Sequence, residues 1–216
     1  MIVSILGGTG DQGPGMAMRW AKAGIEVIIG SRQQEKAAGV AAELNQELGQ
    51  ALIVGMANPD AAAASDIVAL TVPFSAHNAT LESVKDHLQG KILIDVCVPL
   101  DPDNVRKMKY TAAGSATQEA QALLGDNVKV VAAFQNVSAT ELRHLDHDID
   151  CDVLVCGNDR GARETVMALV EKMGMKPVDV GLAYNAPIVE GLTAVLIGLN
   201  IRHKVKGSGI RITGLS

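Results

Sequence analysis

The sequence has almost no aromatic side chains. One Trp, two Tyr and two Phe make up 2% of its 216 residues. With hydrophobic residues at 48%, the core has to be built from Ala, Val, Ile, Leu and Met. That suits a parallel sheet covered by helices, whose buried strands are continuous aliphatic runs. A surplus of basic charge is also missing: the net charge is −5. No nucleic-acid partner is expected, because neutralising phosphates takes a basic face. The three cysteines, Cys97, Cys151 and Cys156, are odd in number and have no zinc-finger spacing. They are expected to be reduced thiols of a cytoplasmic protein, with Cys97 and Cys156 inert within apolar runs. No charged region precedes the apolar start MIVSIL, and the first basic residue is Arg19, so no secretory signal is expected. Residues 186–201 are the longest greasy stretch. They are short for a membrane span and are interrupted by Glu190, so no membrane association is expected.

Short aliphatic runs recur at 2–6, 25–30, 51–56, 66–72, 91–98, 128–134, 151–157 and 176–181. Helix-length stretches separate most of them, at 14–23, 34–48, 76–89, 115–124 and 160–173, and a long helix closes the chain at about 183–204. The alternation predicts an α/β fold, a doubly wound and mostly parallel sheet of the Rossmann type. A nucleotide-binding domain is expected over 1–140 and a small C-terminal lobe over 141–216.

Gly8-Thr9-Gly10-Asp11-Gln12-Gly13 fits G-x-G-x-x-G, after an apolar strand and before a helix. In that context Gly8 is expected to allow the tight turn, Gly10 to let a pyrophosphate approach the backbone, and Gly13 to let helix and strand pack closely. The helix N-terminus would then offer N–H groups to the phosphates, with the Asp11 side chain turned away. At the end of the second strand, NAD-binding proteins of this fold carry a carboxylate for the ribose 2′-hydroxyl. Here Ser31 and Arg32 stand there, with Lys36 one helical turn further on. A carboxylate would repel a 2′-phosphate, whereas these groups can bond it. Two charge-assisted hydrogen bonds, partly screened, favour NADP over NAD by ~10²–10³-fold. SRQQEK also suits a plain helix start with Ser31 as cap, and the two roles are compatible.

The segments ILGGTGDQGPG, IIGSRQQEKA, LTVPFSAH, VKVVAAFQNVSA, VLVCGND and GIRITGL resemble the NADPH-dependent reductases of coenzyme F420. The resemblance runs nearly end to end. It implies direct hydride transfer between the nicotinamide of NADP(H) and the deazaflavin of F420, stacked in a cleft between the large domain and the C-terminal lobe. It implies no acid, base or nucleophile from the protein, so no catalytic residue is assigned; positioning and water exclusion do the work. It places Thr9 to Gln12 on the pyrophosphate and ribose, and Ser31, Arg32 and Lys36 on the 2′-phosphate. Val72, Pro73, Ala76, Val98 and Ala139 would lie at the carboxyl ends of the strands, beside the cofactor. Gln135, Asn136 and Ser208 would lie near the deazaflavin. Gln135 stands where some relatives have histidine, and Ser208 where a leucine can occur. Reduction of a flavin, a ferric chelate or an imine, and NADP binding without catalysis, are the alternatives.

F420 is anionic, and the basic run Arg202, His203, Lys204, Lys206 and Arg211 could hold its tail or simply cap the last helix. That helix is apolar almost all round, which predicts a homodimer through it. His144 and His147, among several aspartates, are read as a polar loop rather than a metal site. Trp20 and Met18 are read as packing residues.

Overall fold

The computed structural model describes residues 1–215. In chain order the elements are β1 (Ile2–Leu6), α1 (Gln12–Lys22), β2 (Glu26–Ser31), α2 (Gln34–Leu48), β3 (Ile53–Ala57), α3 (Asn58–Ala63), β4 (Ile67–Leu70), α4 (His77–Val84), β5 (Ile92–Asp95), β6 (Leu100–Asp101), β7 (Asn104–Met108), α5 (Ala116–Leu124), β8 (Lys129–Ala132), α6 (Ala139–Arg143), β9 (Asp152–Gly157), α7 (Arg160–Lys172), β10 (Lys176–Asp179) and α8 (Ala186–His203). The main sheet has eight strands in the order β10-β9-β8-β5-β4-β1-β2-β3. All its pairings are parallel except that of β8 with β9.

The aliphatic runs become buried strands because both faces of the sheet are covered. Along β1, Val3 and Ile5 join one core with Met16, Trp20 and Val166 from α1 and α7, while Leu6 joins another with Leu81 and Ala120 from α4 and α5. Beyond β8 the pattern continues: Val153 and Val155 join the first core, and Leu154 and Cys156 pack with Ala186 and Val189 of α8. The strands after residue 140 therefore extend the same sheet and share its core. Trp20 is fully buried, edge-on to Phe134 at a centroid distance of 6.0 Å, and its indole N–H donates to the Leu169 carbonyl at 3.2 Å. Met18 is buried in the same core.

Two features were not expected. The polar segment after β5 forms a small antiparallel hairpin, β6–β7. The left-handed residue of the glycine loop is Gly7, at φ 72°; Gly8 sits within the tight turn, donating its N–H to the Ile5 and Gly30 carbonyls, both at 3.1 Å. Gly13 has the expected role, since a Cβ there would lie 2.5 Å from Gly8 Cα.

Two buried charges tie the later segments to the front of the chain. The Arg19 guanidinium on α1 donates to the carbonyls of Leu142, Glu141 and His144 at 3.1, 3.1 and 2.6 Å, and to that of Met173 at 3.4 Å. This cation among carbonyls gives the 141–147 loop its shape. Glu190 of α8 is fully buried; its carboxylate accepts from Ala116 N, Thr117 N and Thr117 Oγ1 at 2.9, 3.1 and 2.9 Å, capping α5. Burial pushes its carboxyl up to about 7 against the pull of those donors. A carboxyl raised on folding stabilises fully below its unfolded pKa of ~4.3, and that stabilisation is lost as pH rises through about 7. The wild type should lose on the order of 2–3 kcal/mol from this group between pH 5 and pH 8. Glu190→Gln should flatten that part of a pH series of thermal midpoints; an unchanged slope would assign the loss elsewhere.

Candidate functional site

The chain leaves β1 toward β2 and β3 on one side, then returns to place β4 on the other. The ends of β1 and β4 thus form a switch point, where open α/β sheets bind ligands. The glycine loop rises from β1 and the segment Thr71–Ala76 from β4. Two cavities meet there, sharing Gly10, Thr71, Val72 and Pro73.

The first, about 290 Å³, is lined by Thr9 and Gly10, by Ser31, Arg32 and Lys36, and by Val72, Pro73 and Ala76. Helix α1 starts beside it, and no side chain caps the first N–H groups at its N-terminus. The Asp11 side chain is exposed. Ser31 Oγ accepts from Gln33 N at 3.2 Å, which turns the backbone into α2 and presents Arg32 at the rim. Arg32 and Lys36 take part in no ion pair among the described residues. Asn58, which sequence reasoning did not single out, also lines this cavity, and its Oδ1 is buried without a partner.

The second cavity, about 510 Å³, is a slot whose walls include Asp11, Gln12, Val98, Gln135 and Ala139, with Thr193 and Ile197 from α8. Phe134 sits at φ 73°, a left-handed conformation rare for a bulky side chain and costly by roughly 1–3 kcal/mol. It is held there by its edge contact with Trp20 and by Gln12 Nε2, which reaches the carbonyls of Phe134 and Val137 at 3.5 and 3.3 Å. The kink aims Gln135 at the slot.

Gly8 and Gly13 shape the turn from behind, and both are buried. Cys97, expected to be inert, forms part of the slot wall; burial pushes its thiol far up, and Sγ donates to the Val72 carbonyl at 3.1 Å. Two residues that the resemblance placed near the deazaflavin line neither cavity. Asn136 is buried with its amide turned to β9, donating to the Asp152 carbonyl at 2.7 Å and accepting from Leu154 N at 3.4 Å. Ser208 clamps the C-terminal segment to α8 through Asn200 Oδ1 and the Leu196 carbonyl, at 3.1 and 3.4 Å. Each meets backbone needs created by the returning strand and tail, which local sequence does not display.

Glu141, His144 and His147 come close enough to hold an ion. However, both ring nitrogens of His147 already face carboxylates, Glu141 at 2.8 Å and Asp146 at 3.2 Å, which raise its pKa. Glu141 and His147 are thus tied by an ion pair.

The sequence profile of a family described as NADP oxidoreductase, coenzyme F420-dependent, matches residues 2–99. The F420-dependent NADP reductase of Methanothermobacter thermautotrophicus is 43% identical over 100% of this chain and 96% of its own length. This chain belongs to the F420-dependent NADP reductase family. The relative of the same description from Methanocaldococcus jannaschii is also 43% identical, over 100% of this chain and 99% of its own. A crystal structure of a candidate F420-dependent NADP reductase from Arthrobacter sp. FB24 superposes with a TM-score of 0.84 at 26% identity, covering 98% of both chains. The metalloreductase STEAP3 of Rattus norvegicus is 32% identical over 90% of this chain, which spans 37% of that protein. An imine reductase from Bacillus cereus shares the fold, with a TM-score of 0.61 at 19% identity.

Proposed function

We propose that the protein is an NADP-dependent oxidoreductase that moves a hydride directly between NADP(H) and coenzyme F420. The observation that carries this is the pair of joined cavities. One presents backbone N–H groups, Ser31, Arg32 and Lys36, the chemistry of a pyrophosphate and a 2′-phosphate. The other is a slot with mainly apolar walls, fit for two flat rings. The end-to-end likeness to F420-dependent NADP reductases supports the second substrate.

In this reading Gly8, Thr9, Gly10, Asp11, Gln12 and Gly13 form the cradle, with contact through the backbone. Arg32 and Lys36 hold the 2′-phosphate. Val72, Pro73 and Ala76 carry the dinucleotide from one cavity to the other, and Val98 and Ala139 flank the nicotinamide. The protein binds, aligns and excludes water; no side chain gives or takes the hydride. Residues 141–216 act as the lobe that closes the slot, through Thr193 and Ile197. The basic tail supplies the pull on an anionic coenzyme, with Lys204 and Lys206 in no ion pair among the described residues; Arg211 instead pairs with Asp150 at 3.0 Å.

We also infer a cytoplasmic homodimer. By length and hydropathy Ala183–His203 could cross a membrane, but one face of α8 packs on the sheet and Glu190 caps α5. The other face leaves Ile188, Val195 and Leu199 67, 56 and 36% exposed, a surface suited to a second copy. Sedimentation should give a dimer; a monomer at micromolar concentration contradicts it.

The deciding assay follows NADPH oxidation with F420, with FMN, with a ferric chelate and with no acceptor. Turnover with F420 alone is expected. Turnover only with another acceptor, or tight NADPH binding with no turnover, would replace this reading.

A further inference from the structure

A buried polar chain runs from the surface to the slot and ends on an atom with nothing to bond. Glu119 of α5 accepts from Asn78 Nδ2 at 2.6 Å; Asn78 Oδ1 lies 2.7 Å from His77 Nδ1, and His77 Nε2 lies 2.8 Å from Asp95 Oδ2. His77 and Asp95 are both fully buried. Asp95 closes β5, with its Oδ1 taking the Cys97 N–H at 3.0 Å and its carbonyl taking Gln135 Nε2 at 2.7 Å.

The roles along this chain are fixed by the partners. Glu119 accepts, so the Asn78 amide nitrogen points to it and the oxygen faces His77. A carboxylate oxygen faces the other ring nitrogen. Both nitrogens of His77 therefore face acceptors, and only an imidazolium can donate to both. Burial alone lowers the imidazole's hold on its proton. The hydrogen bond and charge of Asp95, with help from Asn78 and Glu119, outweigh it and raise the pKa overall. Cys97 also lies close, but its thiol is pushed far up and stays neutral.

The same logic orients Gln135. A carbonyl can only accept, so the amide nitrogen faces Asp95, leaving Oε1 buried and unpartnered in a side chain only 5% exposed that lines the slot. Its backbone is held as well, because Thr193 Oγ1 donates to the Gln135 carbonyl at 2.8 Å. A buried acceptor without a donor is costly, and the residue that carries it lines the space left for the rings.

We propose that His77 and Asp95 are a positioning pair, an imidazolium locked on a carboxylate, and that through the Asp95 carbonyl they aim Gln135 Oε1 to accept an N–H from a ring bound in the slot. The inference rests on the slot being the redox site proposed above. The ligand chemistry is an amide or imide N–H next to the reacting ring. Two sources carry it: the carboxamide of NADP(H) and the pyrimidine edge of the deazaflavin.

Gln135→Leu distinguishes them when dissociation constants for NADPH and for F420 are measured separately, without turnover. One of the two should rise roughly tenfold, the effect of a lost buried hydrogen bond; if neither moves, Gln135 is not the acceptor. Asp95→Asn should weaken the same ligand, and adding it to Gln135→Leu should cost less than a further twofold. Full multiplication of the two effects would overturn the positioning role. Nitrogen-15 shifts of the His77 ring in the wild type at pH ~6.5, the ordinary histidine value, need no variant to fold. Both ring nitrogens should be protonated; a neutral tautomer there refutes the locked pair whatever the acceptor assay finds.

Discussion

Replacing Arg32 by alanine should weaken NADPH binding roughly 10- to 100-fold, since a charge-assisted hydrogen bond contributes about 1.5–3 kcal/mol, and should leave NADH within about twofold. Arg32 is exposed at the cavity rim and bonds nothing that the fold requires. Its loss should therefore change stability by under about 0.5 kcal/mol, as at other unengaged surface positions. The split between the two nucleotides is the informative part. Removing a general attraction for phosphates would weaken both, because both carry the pyrophosphate. Lys36→Ala should act in the same direction with a smaller effect, being a point charge rather than a planar fork. Steady-state KM values for the two donors, or titrations of each, would check this, and equal losses would remove the 2′-phosphate assignment.

Gly13→Ala should be the more damaging change, and of a different kind. The new methyl would lie 2.5, 2.6 and 2.7 Å from Cα, O and C of Gly8, all backbone atoms. No flexible side chain can yield, so α1 must back away from the turn or the turn must open. Overpacking of this sort costs roughly 1–3 kcal/mol, and the displaced N–H groups should lose NADPH and NADH alike by more than about tenfold. Gly10→Ala is the control. The nearest atom to its methyl would be the Gly7 carbonyl oxygen at 3.4 Å, so the fold should tolerate it, while the path of the pyrophosphate along the backbone should not. A lowered thermal midpoint for Gly13→Ala, with a near-native one for Gly10→Ala and weak nucleotide binding in both, would separate packing from contact. Native stability and binding in both would contradict the cradle.

Much of this was readable because the relevant signals are local. A strand buried on both faces has to be aliphatic throughout, so β1, β2, β4, β5 and β9 stand out from their flanks. Ser31 and Arg32 follow β2 directly, so the absence of a carboxylate is visible in the sequence. What was not readable depends on distant segments meeting. The φ of 72° at Gly7 belongs to a turn packed against Val72 after β4. The antiparallel pairing of β9 with β8 needs the long return past α6, and an aliphatic run does not state its direction. Asn136 lies in a segment that resembles a substrate site, yet its amide serves β9. Asp95 and His77 are 18 positions apart, and neither alone suggests a buried ion pair under the slot. Glu190 looked like a break in a greasy helix and is instead the cap of α5.

Calorimetric titration of the purified protein with NADPH and NADH, at one salt concentration, tests the account most directly. Tighter binding of NADPH by ~10²–10³-fold is the predicted result. Equal affinity for the two, or no binding of either, would contradict it.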